Sequence, residues 1–137
     1  MMQPNARTFA WISKKLMKID IRRVYEAPSK SDGKRILIDR LWPRGISKEK
    51  AEIHYWAKTI SPSTQLRQWY QHDPEKWQDF KKKYFQELNS NPEGMNELRN
   101  QIGRGKITLV FSSKEEKLNN ATALKEYLEF TGVLTNS

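Results

Sequence analysis

The sequence contains no cysteine, which removes disulfide staples, thiolate metal centres and thiol nucleophiles together. Histidine is scarce too: with only His54 and His72, a zinc site would need carboxylates to complete its coordination, so no metal is expected. No apolar run nears the roughly 18 to 20 residues that cross a bilayer, and residues 1 to 18 lack the apolar core of a secretion signal. A soluble, cytoplasmic protein without a membrane partner is the expectation. The phosphate-cradling pattern G-x-x-x-x-G-K-[ST] and the dinucleotide pattern G-x-G-x-x-G are both missing. Gly103-Arg104-Gly105-Lys106 is too short for either, and it precedes an apolar run where those motifs follow one. Ser112 and Ser113 stand in no nucleophile-elbow sequence. These absences disfavour a nucleotide triphosphatase, a dinucleotide oxidoreductase and a thiol enzyme, and no cofactor is expected.

What is present is one domain's worth of chain, 137 residues, enough to bury its own core. The net charge is +9 and the isoelectric point about 9.8, a balance that favours anionic partners. Such charge is either a solvated basic surface, since lysines alternate with acids almost everywhere, or a nucleic-acid face. Residues 1 to 16 hold Arg7, Lys14 and Lys15, no acid and no clear period, and read as a flexible N-terminal extension ahead of a second start at Met17. Residues 17 to 132 then form a single domain, and residues 133 to 137 a frayed end.

The pattern of that domain alternates strands with helices. Ile19 and Ile21 interleave with Asp20 and Arg22, a first strand. The turn formers from Ala27 to Gly33 follow, and Ile36, Leu37 and Ile38 then form an unalternated apolar strand that must be covered on both faces. Ser47 is placed to cap a short helix, Ser61-Pro62 to start another, and Asp73-Pro74 to open a longer one with Trp77, Phe80, Tyr84 and Leu88 on one stripe. Asn91-Pro92 starts a further helix carrying Met95, Leu98 and Ile102 and ending at Gly103. Ile107 to Phe111 reads as another covered strand. Ser113 with Glu116 has the form of a capping box leading into a last helix. The expected fold is α/β, a small and mostly parallel sheet of three to four strands with a helix-rich insertion between the second and last strands.

In such sheets ligands collect beyond the carboxyl ends of the strands. One end carries Asp39, Arg40, Trp42, Pro43 and Arg44, and the other carries Ser112, Ser113 and Lys114 at an expected helix start suited to an anion. Asp39 is a candidate general acid or base, or else a residue that fixes its turn by pairing with Arg40, Arg44 or a loop amide. Arg40 and Arg44 are candidate forks for phosphate or carboxylate, though either can serve as an internal ion-pair partner. Trp42 is a candidate stacking surface or a core residue. His72 is either a proton shuttle near neutral pH or a ring packed on Tyr70 or Trp77. Lys58 is a candidate phosphate contact or a solvated charge. Asn119 and Asn120, poor helix formers early in a helix, either hydrogen-bond into the cleft or mark a frayed start.

The elements ILIDRLWPRG from Ile36 to Gly45, Trp56-Ala57-Lys58, Ser61-Pro62-Ser63 and His72-Asp73-Pro74 with Trp77, Phe80 and Tyr84 occur together and in order. In this the chain, from about Ile19 to Glu129, closely resembles the YeaO-like branch of a bacterial family, the domain of unknown function 488. The resemblance implies no assigned activity. A longer branch of that family carries a Cys-His-Arg element after its last strand, where this chain reads Lys117-Leu118-Asn119-Asn120-Ala121, so thiol and metal chemistry do not carry over.

The expected function is therefore a basic cleft for a phosphorylated or nucleotide-like small anion. It serves either as a binding site or as an enzyme in which Asp39 or His72 transfers a proton. The alternatives are a nucleic-acid-binding module and an adaptor that meets a protein partner through the aromatic helix around Trp77.

Overall fold

The computed structural model of the chain describes residues 18–131; the extension expected over residues 1 to 16 and the end expected over 133 to 137 lie outside them. Four strands form one sheet, β1 (Ile19–Arg23), β2 (Lys34–Leu37), β3 (Tyr55–Trp56) and β4 (Ile107–Phe111), in the order β1-β4-β2-β3 and all parallel. Five helices accompany them: α1 (Lys48–Ala51), α2 (Thr64–Tyr70), α3 (Trp77–Asn89), α4 (Pro92–Ile102) and α5 (Asn120–Thr131). The α/β class and the helix-rich stretch between β2 and β4 are as the sequence predicts. The fourth strand is β3, too short to show a period.

The register explains why Ile36 to Ile38 carry no polar residue. Ile36 pairs with Leu109 on one side and Tyr55 on the other, and Leu37 pairs with Val110 and Trp56. All three residues of the run are fully buried. Gly33, ahead of β2, has φ +65° and no room for a side chain, because a Cβ there would collide with the Lys106 carbonyl, which accepts the Lys34 amide at 3.2 Å. Only glycine satisfies both demands.

The two faces of the sheet are covered unequally. Ile19, Ile36, Ile38, Ile107, Leu109 and Phe111 belong to the main core with the buried residues of α2 to α5. In α3, Trp77, Phe80, Tyr84 and Leu88 are buried at spacings of three and four, and Tyr70 of α2 stacks on Phe80 at 4.2 Å between ring centroids. On the opposite face, among the described residues, Val24, Leu37 and Val110 cluster with Ala51 and the partly buried Trp42, Ile46, Ile53 and Trp56. Beyond these apolar contacts the fold holds a buried ion pair, Arg35 Nη1 to Asp32 Oδ2 at 2.8 Å. Burial alone would raise the Asp32 carboxyl, but the Ser29 amide and the guanidiniums of Arg35 and Arg22 hold it below its ordinary value.

Two helix starts differ from the sequence expectation. Ser61-Pro62 does not open α2; Ser63 does, its hydroxyl accepting the Leu66 amide at 3.1 Å. The Glu87 carboxylate takes the Ser63 amide and hydroxyl at 2.9 and 2.6 Å, and that tertiary partner decides between two serines of equal local merit. Ser61 instead donates to the Ala57 carbonyl at 3.0 Å. Nor does Ser113 cap the last helix. Its hydroxyl accepts the Glu115 amide, Glu115 in turn accepts those of Lys117 and Leu118, and α5 begins only at Asn120, where Asn119 Oδ1 accepts the Thr122 amide at 2.9 Å. The serine pair therefore sits in a turn and offers no helix dipole to an anion.

Candidate functional site

Because β1, β2 and β4 run parallel, their carboxyl ends open onto one edge of the sheet, and a cavity of about 600 Å³ lies there. Its wall draws on all three ends: Arg23 and Tyr25 come from the end of β1, Asp39 to Arg44 follow β2, and Ser112 to Lys114 follow β4. Arg67, Gln68 and Tyr70 of α2, His72 just after it, and Asn120 at the start of α5 complete it. The guanidinium-bearing turn and the serine segment thus share one hollow.

Asp39 ties these elements together. Its Oδ2 accepts the Ser112 amide at 2.9 Å and its Oδ1 accepts Asn120 Nδ2 at 3.1 Å, while that same amide also donates to the Ile38 carbonyl. The Asp39 carbonyl takes the Trp56 indole N–H at 2.6 Å. Burial raises the Asp39 carboxyl above its ordinary value, and the donors of Ser112 and Asn120 with the charge of Arg67 offset only part of the rise. With both oxygens engaged by protein donors, Asp39 acts as a brace between β2, β4 and α5.

The cationic side chains divide into fixed and free. Arg40 donates to the Ser61 carbonyl at 2.7 Å and the Pro62 carbonyl at 3.2 Å, anchoring the approach to α2. Arg23 donates through Nε to the Ser113 carbonyl at 2.9 Å. Arg44, Arg67 and Lys114 are exposed in the cavity wall, and among the described residues none of them has a side-chain hydrogen bond or ion pair. The second free fork beside Arg44 is therefore Arg67, where the sequence pointed to Arg40.

His72 is exposed, its Nε2 3.5 Å from Ser113 Oγ and its ring 5.6 Å from that of Tyr70. It and Gln71 are successive non-glycine residues with φ of 57° and 48°, a strained pair of the kind found at ligand sites. Trp42 lines the cavity but is held for structure. Its indole N–H donates to the Ile46 carbonyl at 2.8 Å and its ring meets Trp56 edge-on at 5.5 Å.

Two residues expected in the cleft lie elsewhere. Lys58 places its ammonium 4.5 Å from the Trp56 ring and outside the cavity. Asn119 is fully buried, with its side chain spent on Glu115 and Thr122. Conversely, Arg23, Tyr25, Gln68 and Tyr70 line the cavity without a motif to mark them, and Arg67, which with Leu66 and Trp69 belongs to the elements shared with the family, is given no role in the cleft by the sequence. Arg23 and Tyr25 stand at the end of the first strand and fall under the same strand-end rule as Asp39. Arg67 and Tyr70 lie three apart on one face of α2. Among the described residues no group of three or more histidine and acidic side chains is placed to hold a metal ion, and no helix is long and apolar enough to cross a membrane.

Comparison with known proteins bears on the family alone. The chain is 37% identical over 112 residues to the uncharacterised protein YeaO of Escherichia coli, covering 82% of this chain and 97% of YeaO. It is 36% identical over 111 residues to uncharacterised proteins of Mycobacterium tuberculosis and Mycobacterium bovis, covering 81% of this chain and 93% of each relative. No solved structure matches. The family model described as the inactive DUF488-N3 subclade matches residues 18–132, so the chain belongs to the DUF488 family, in its YeaO-like part.

Proposed function

We propose that this protein binds a small phosphorylated anion in the cavity beyond the strand ends, as a receptor and not as a catalyst. The observation that carries the reading is the charge of the wall: among the described residues, Arg23, Arg40, Arg44, Arg67 and Lys114 stand against a single carboxylate, Asp39. That carboxylate is already engaged by Ser112 and Asn120. Three of the cations have no side-chain partner among the described residues, so an incoming phosphate meets donors without displacing an internal bond. Guanidinium forks suit its oxygens in pairs.

The wall supports binding over chemistry. A proton-transferring Asp39 needs an oxygen directed at the ligand, and both of its oxygens hold protein donors. The description of the matching subclade as inactive accords with that. The nucleic-acid alternative finds less support, because the indoles lining this side of the fold are packed away: Trp77 is buried, and Trp42 and Trp56 meet edge-on with their N–H groups donating to backbone carbonyls. The adaptor alternative loses its contact residue, since Trp77 is 8% exposed.

Thermal-shift screening of phosphorylated metabolites against wild type, Arg44→Ala and Arg67→Ala tests the proposal. A ligand at a hundred times its Kd stabilises the fold by about 2.7 kcal/mol. The expected outcome is a shift in the wild type that shrinks in both variants and falls as salt rises. Equal shifts in all three proteins would remove the cavity as the site.

A further inference from the structure

Three large apolar side chains are exposed among the described residues, Tyr25 (42%), Leu41 (66%) and Phe130 (89%). Two of the three, Tyr25 and Leu41, line the basic cavity. A site built for inorganic phosphate or a sugar phosphate alone has no use for an apolar lip, and exposed apolar surface concentrated at a cleft marks where a ligand covers it. The Tyr25 ring is also held in place. Its hydroxyl donates to the Arg44 carbonyl at 2.7 Å, and the Arg23 guanidinium lies 4.8 Å from the ring centroid, itself fixed by the Ser113 carbonyl. A ring fixed in this way loses little freedom when something flat is laid on it. Gln68, exposed in the same wall with no side-chain hydrogen bond to a described residue, offers both donor and acceptor to the edge of a planar heterocycle.

We infer that the ligand is a nucleotide: a nucleoside monophosphate or a close relative whose base lies on Tyr25 and Leu41 while its phosphate meets Arg44, Arg67 and Lys114. The inference rests on the anion-binding reading of the same cavity and adds the base. It moves the stacking surface from Trp42, which the sequence pointed to, onto Tyr25, because the Trp42 indole is taken up by Ile46 and Trp56.

Calorimetric titration of the full chain with the four common nucleoside monophosphates and with ribose 5-phosphate tests it. The proteins to compare are wild type, Tyr25→Leu and Tyr25→Phe, each first shown to melt cooperatively. Stacking of one base on an aromatic side chain is worth about a factor of ten or more in affinity. At least one nucleoside monophosphate is therefore expected to bind about tenfold more tightly than ribose 5-phosphate, or better. Tyr25→Leu should abolish that margin, read as the ratio of the two affinities within the same variant so that the lost bond to the Arg44 carbonyl cancels, and Tyr25→Phe, which loses the same bond but keeps the ring, should keep most of it. Equal affinity of the wild type for nucleotides and ribose 5-phosphate overturns the inference and leaves the anion-binding reading standing. A margin that survives Tyr25→Leu also overturns it, and no binding of any probe overturns both.

Discussion

Protonation of Asp39 is coupled to folding because its carboxyl is raised above the ordinary value of 3.8 in the folded chain. The folded state holds that proton more tightly than the unfolded state does. The resulting stability is fully present below the ordinary value and is lost as pH climbs through the raised one. Asn in place of Asp cannot ionise, so the Asp39→Asn variant escapes the loss. Its stability relative to wild type should therefore rise from about pH 3 towards neutrality, whatever the fixed cost of disturbing the bonds from Ser112 and Asn120. Denaturant titration of both proteins at several pH values checks this, and other carboxyls, such as Asp32 with its opposite shift, cancel in the difference. A relative stability that falls with pH would show that Asp39 is charged more easily in the folded chain than its burial implies.

At the scale of the element, the start of α2 shows how a tertiary contact outweighs a local signal. Ser63→Ala removes the acceptor for the Leu66 amide and the hydroxyl donor to Glu87; the expected cost is about 1 to 2 kcal/mol, read as a lower urea midpoint at unchanged slope. A cost near zero would mean that Ser61-Pro62 carries the start after all. Local composition did disclose most elements: three apolar residues in a row for β2, a Pro-led 3-10 turn over Pro74–Lys76 that runs straight on into α3, a Pro-led start for α4, and Gly103 at the end of α4. β3 could not be read because its two residues are half-buried and take their strand character from pairing with Ile36 and Leu37. The start of α5 slipped from Ser113 to Asn119 because Glu115 closes a separate turn in between.

For the molecule as a whole, stability concentrates on the sheet face that meets α2 to α5. Leu109 is fully buried there, paired with Ile21 and Ile36. Leu109→Ala should cost about 2 to 5 kcal/mol, the usual range for such truncations in a core, and should lower the melting temperature with a single transition. A loss below about 1 kcal/mol would mean that this face collapses around the gap. Long-range strand pairing also explains which parts of the cavity the sequence disclosed. Asp39, Arg44 and Ser112 were legible because each follows an obvious apolar strand. Arg23 falls under the same strand-end rule, but its strand alternates polar and apolar residues, and only pairing with Phe111, a partner far along the chain, brings its end beside the other two.

The strand at the heart of the sheet is also the one made last. β1 and β2 are not neighbours; each is bonded to β4, which sits between them. During synthesis the first two strands therefore wait, edges unsatisfied, until Ile107 to Phe111 emerge and slot into the gap. Arg23, Asp39 and Ser112 first meet at that moment, so a nascent chain that stops short of β4 has no joined sheet and nowhere for a guest to bind.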